Sequence, residues 1–108
     1  MNRENVVLCA SNFYEKKYYF NEDYALLPQI VRDELKIMCV TFTEDIGGIL
    51  TLEFDKKGSL QFQVNFDEED LFFDEIGCEL KIKQLQQEKQ ELFESLEEFN
   101  RVFFRDAE

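Results

Sequence analysis

ILTLEFDKKGSLQFQVNF, residues 49–66, decides how this chain folds. Leu50, Leu52 and Phe54 alternate with outward positions, and Leu60, Phe62, Val64 and Phe66 do the same after Asp55-Lys56-Lys57-Gly58. With those four residues as a type I turn and Gly58 as its bulge, Asp55 closes the hairpin with Ser59. Phe54 then faces Leu60, Leu52 faces Phe62 and Leu50 faces Val64, so every large apolar side chain lands on one face. A slip of one residue would turn one strand's apolar set to water, which makes the register firm.

Working upstream, Gly47 and Gly48 close a helix, because glycine accepts the left-handed conformation at a helix end. Pro28 suits the first turn of that helix, and Val31, Leu35, Met38, Phe42 and Ile46 step by four, three, four and four. A phosphate-cradling loop would need the glycines to lead from a strand into a helix, and here they leave one. Further back, Val6 to Ala10 and Lys16 to Phe20 read as a first hairpin, with Ser11 to Glu15 as its loop. Lys16 and Lys17 among Tyr14, Tyr18 and Tyr19 would suit a base-stacking platform, but the net charge opposes nucleic acid. A half-buried edge strand protected by its lysines is the ordinary reading.

Downstream, residues 67–105 contain no proline and one glycine, and read as one long acidic helix. Asp67, Glu68, Glu69 and Asp70 sit where a helix start carries partial positive charge, and they lack the alternation and glycine of an EF-hand loop. Leu71 to Leu85 is apolar around much of its circumference, as in a core element. Past the polar run Gln86 to Glu91, the pattern narrows to Leu92, Leu96, Phe99 and Phe103, a seam that extends back through Lys89 to Leu85. Residues 78–104 as one helix would run about 40 Å, more than a small domain covers by itself. Leu85, Lys89, Leu92, Leu96, Phe99 and Phe103 are therefore the expected interaction residues, and a homodimer is the expected assembly.

The 108 residues fit one domain, 1–108, and 44% apolar content with twelve Phe supplies a core despite a net charge of −12. Residues 1–66 carry ten acids and seven bases, whereas residues 67–108 carry fourteen and five, so the excess belongs to the C-terminal segment. That field repels nucleic acid and anionic lipid and leaves a basic protein surface as a charge-matched partner. No apolar run is long enough for a signal peptide or a membrane span. Cys9, Cys39 and Cys78, odd in number and widely spaced, read as reduced thiols of a cytoplasmic protein. With no histidine and no CxxC pair, the expectation is no catalytic residue, no metal site and no cofactor.

Taken together, VVLCASNFYEKKYYFNEDY, LKIMCVTFTEDIGGILTLEFD, DEIGCELKIKQLQQEKQELFESLE and the terminal RVFF resemble a family of short bacterial proteins with no assigned activity. The resemblance implies a stand-alone intracellular protein and carries over no site. The expected fold is α+β, in the order ββαββα: two hairpins forming a four-stranded antiparallel sheet, one connecting helix and a long C-terminal helix. Leu35, Met38, Phe42, Leu52, Phe54, Phe62, Val64, Ile76 and Leu80 are the expected core. The expected function is a noncatalytic protein-interaction module. Its rivals are a small-ligand or effector-binding protein with a pocket lined by Tyr18, Tyr19 and Phe residues, and an immunity-like or mimic protein that neutralises a basic partner.

Overall fold

A computed structural model describes residues 5–105. The strands are β1 (Val6–Asn12), β2 (Lys17–Phe20), β3 (Ile49–Phe54) and β4 (Leu60–Asn65), and the helices are α1 (Gln29–Ile46), α2 (Glu75–Glu88) and α3 (Gln90–Asn100). A 3-10 turn at Glu22–Tyr24 precedes α1, and a π-helical turn at Arg101–Arg105 follows α3. The four strands form one antiparallel sheet in the order β2-β1-β3-β4, so the chain is α+β.

The β3–β4 register is the one its alternation dictates, with Phe54 opposite Leu60, Leu52 opposite Phe62 and Leu50 opposite Val64. Asp55 N–H donates to the Ser59 carbonyl at 2.9 Å, and Gly58 takes φ +88°, which a side chain would resist. The Asp55 carboxylate also accepts from the N–H groups of Lys57 and Ser59, each at 2.9 Å, and so fixes the turn from inside. Leu50, Leu52 and Phe54 are buried, and each contributes about 1.5–3 kcal/mol by leaving water.

In the first hairpin, β1 runs to Asn12, two residues further than expected, so Ser11 and Asn12 are strand and not loop. The extension follows from pairing on both sides: Ser11 faces Tyr18 on β2 and Leu50 on β3. A bulge falls between Val7 and Cys9, which lets Leu8 and Cys9 both be buried. Asn21 steadies it, donating from its backbone to the Leu8 carbonyl at 2.9 Å and from its side chain to the Val7 carbonyl at 2.7 Å. One sheet face meets the helices, while Lys17, Tyr19, Gln63 and Asn65 on the other side are exposed.

Helix α1 lies against β1 and β3 and buries Leu35, Met38, Cys39, Phe42 and Thr43. It ends as the two glycines require: Gly47 has φ +91°, and its N–H donates to the Thr43 carbonyl at 2.7 Å. Gly48 serves a second purpose, since a Cβ there would lie 2.8 Å from the Asn65 carbonyl oxygen.

The C-terminal segment departs from the single helix expected over residues 67–105. Residues 67–74 are turns, because Asp67 and Asp70 accept hydrogen bonds from the N–H groups of Glu69 and Phe72 and so compete with helical pairing. The Tyr14 hydroxyl accepts from Asp67 N–H at 3.0 Å and donates to the Asp70 carboxylate at 2.7 Å, and Phe73 stacks on Phe66. Asp74, and not the Asp67–Asp70 run, caps the helix, accepting from Gly77 N–H at 2.8 Å. A second break comes at Lys89, with φ −111° and ψ 24°, inside the polar run. The helix is interrupted there, with α2 beside α1 and α3 against β4.

These two breaks alter the core. Leu35, Met38, Phe42, Leu52 and Phe54 are buried as expected, and Phe62 and Val64 pack against them half-buried. Ile76 and Leu80 do not belong to it, being 76% and 64% exposed. The face of α2 that turns inward carries Cys78, Ile82 and Leu85.

Candidate functional site

The six seam residues part company in the structure. Leu85 and Leu96 are buried in the chain's own core, and Leu92 and Phe99 pack against that core half-buried. The aromatic Phe93 beside them meets Phe62 of β4 edge to face at 5.3 Å, so α3 spends its apolar stripe on the sheet. Lys89, at an inward position, resolves the conflict by reaching Glu34 of α1 at 2.9 Å. Only Phe103 is exposed, at 51%, with its ring stacked on Phe99.

Val102 and Phe104 beside Phe103 are exposed too, and further uncovered apolar surface lies elsewhere. Ile30 and Ile37, seven residues apart on α1, are 77% and 67% exposed, and Ile76 and Leu80 stand out from α2 in the same way. Phe72 and Leu71, in the turns before α2, are more exposed still. Asp45 with Lys81 at 3.9 Å and Glu34 with Lys89 show that α1 and α2 run antiparallel beside each other. Between them lies a groove of about 450 Å³ lined by Ile30, Ile37, Met38, Phe42 and Leu85. Alternation along the seam could have revealed this face: stepping back from Leu96 through Leu92, Lys89, Leu85, Ile82 and Cys78 leaves Leu80 and Ile76 outside.

On the other side of α1 the first hairpin forms a second cavity, of about 350 Å³, with Phe13, Lys16, Lys17, Tyr18, Lys36 and Val40 in its wall. Tyr18 and a Phe are here as a ligand pocket would have them, whereas Tyr19 faces away and is exposed. Beneath lies a polar seam between β1 and α1, where Ser11 and Thr43 share a hydrogen bond at 2.8 Å and the Cys9 and Cys39 sulfurs are 3.9 Å apart. The Cys9 contact and burial together push the Cys39 thiol well above its ordinary value, and burial raises Cys78. All three thiols are free and buried. Burial likewise raises the Tyr18 hydroxyl, with the neighbouring Cys9 thiol adding to the shift.

Among the described residues no group of three or more Cys, Asp or Glu side chains converges as metal ligands would, and no helix is long and apolar enough to cross a membrane. A family model matches residues 5–108, and its description is a family of unknown function, DUF6145. The chain belongs to this family. No curated protein and no solved structure matches it. Membership in DUF6145 brings no activity, ligand or partner with it. The two concave sites and the exposed helix face must therefore be read from their own chemistry.

Proposed function

We propose that this protein is a noncatalytic, cytoplasmic interaction module that pairs with a second copy of itself through the outer surface of α1 and α2. The observation that carries the reading is the exposure of Ile30 and Ile37 on α1 and of Ile76 and Leu80 on α2, branched side chains left in water by a fold that buries other stripes of the same helices. The interface expected from the seam thus moves from α3, whose apolar residues are engaged, to the neighbouring helix layer.

Charge at this face is balanced only in part. Asp45 and Glu34 have Lys81 and Lys89 beside them, whereas Asp33, which also lines the groove, accepts from the neutral Gln29 side chain. Twofold self-pairing is also the commonest way in which such a face is covered. Three free buried thiols fit a reducing compartment.

Salt dependence tests the reading. An apolar self-contact changes its dissociation constant less than about threefold between about 0.05 and about 0.5 M NaCl, because screening acts on exposed charge. A weakening of tenfold or more would identify a charge-driven contact and move the assignment to an acidic protein that neutralises a basic partner.

A further inference from the structure

We propose that the pocket between the first hairpin and α1 binds a small organic phosphate monoester, with the phosphate held by Lys16 and Lys36 and the organic part lying against Phe13 and Val40. This chain has twice as many acids as bases, and in its described part Lys81, Lys89 and Arg101 each sit beside a carboxylate. Among the described residues, Lys16 and Lys36 have no carboxylate in ion-pair contact, yet they come from a turn and a helix to the wall of one cavity of about 350 Å³. Lys36 lies with its ammonium 5.9 Å from the centre of the Tyr18 ring, and two ammonium groups without a carboxylate partner match a group carrying close to two negative charges, as a phosphate monoester does near neutral pH.

The backbone points the same way. Lys16 has φ +55°, the one described non-glycine residue with positive φ, and its ammonium lies 3.6 Å from the centre of the Phe13 ring. Lys16 thus holds its charge over an aromatic ring in a backbone conformation that side chains rarely adopt. Glu44 also lines the wall, and its charge opposes an anion placed against it. The cavity is at the small end of ligand sites, and the charge of −12 repels extended polyanions, which sets a small molecule above a nucleic acid strand. Lys36 and Val40 face this cavity while Ile30 and Ile37 face the groove, so the site stands or falls independently of the proposed dimer.

The test is titration of the full chain with phenyl phosphate, followed by amide chemical shifts, beside inorganic phosphate and a short single-stranded oligonucleotide. The expected result is saturable binding with shifts centred on residues 11–18 and 36–44, weakened at least tenfold in K16Q with K36Q and unchanged in K81Q. The exposed lysine substitutions leave the core intact, and K36Q alone, with a smaller loss, supplies a second reading of the same site. Absence of saturation, equal binding by the double variant, equal affinity for inorganic phosphate, or tighter binding of the oligonucleotide would each overturn the proposal.

Discussion

The Tyr24 hydroxyl donates a 2.7 Å hydrogen bond to the side-chain carbonyl of Asn100, joining the turn before α1 to the end of α3 across 76 residues of sequence. Both residues are buried, and the Tyr24 ring also packs on Phe54 at 5.6 Å and on Phe104 at 4.8 Å. This contact explains why the C-terminal helix folds back on its own domain. A seam that looks unpartnered along the chain finds its partner in an aromatic residue far upstream.

Removing that hydroxyl leaves a buried acceptor unsatisfied, so Tyr24→Phe is expected to cost about 1–3 kcal/mol in denaturant unfolding. Burial, with Asp23 adding to it, raises the hydroxyl from its ordinary 10.0 to about 12. The folded state therefore holds this proton more tightly than the unfolded chain does. Its stabilisation is complete below about pH 10 and is lost as pH rises toward about 12. Tyr24→Phe should flatten that alkaline slope in part, since Tyr14 and Tyr18 are also raised. An unchanged slope would show that Tyr24 ionises as freely when folded.

The elements that were legible in the sequence are those whose local chemistry and packing agree. Alternation from Leu50 to Val64 with Gly58 at the bulge fixes β3 and β4, and the spacing from Val31 to Ile46 with Gly47 fixes α1. The start of the C-terminal helix was not legible, because acids at Asp67 and Asp70 serve turns as well as helix starts, and Tyr14 from 53 residues away decides for turns. Lys89 reads as a flaw in a seam until Glu34 appears opposite it. Ile76 and Leu80 read as core from their apolarity alone, although the stripe through Cys78, Ile82 and Leu85 runs on the other side. The lysine-lined cavity was hidden because its members come together only when the hairpin meets α1.

Asp74 and Gly77 form a coupled pair at the start of α2. Asp74→Ala should lose about 1 kcal/mol of stability as the N-cap is removed. Gly77→Ala ordinarily gains about 1 kcal/mol of helix propensity, but here a Cβ would collide with the Asp74 carboxylate and displace the cap. The expected outcome is no gain from Gly77→Ala in the wild type and a clear gain in the Asp74→Ala background. Additive effects in a double-mutant cycle would contradict the coupling.

Leu96 and Leu80 separate core from surface on the two C-terminal helices. Leu96, 1% exposed, should cost about 2–5 kcal/mol as Leu96→Ala, the range for a cavity in a packed core. Leu80→Ala, measured at a protein concentration low enough to keep the chain monomeric, should fall within about 0.5 kcal/mol of wild type. Comparable losses at the two positions would place both stripes inside the fold.

Sedimentation equilibrium over a range of protein concentrations, on the wild type and on Ile37→Glu with Leu80→Glu, tests the central claim most directly. The account predicts a wild-type species of twice the 13.0 kDa chain mass and a folded, monomeric double variant. A wild type that stays at 13.0 kDa at the highest concentration, or a double variant that remains dimeric, would contradict it.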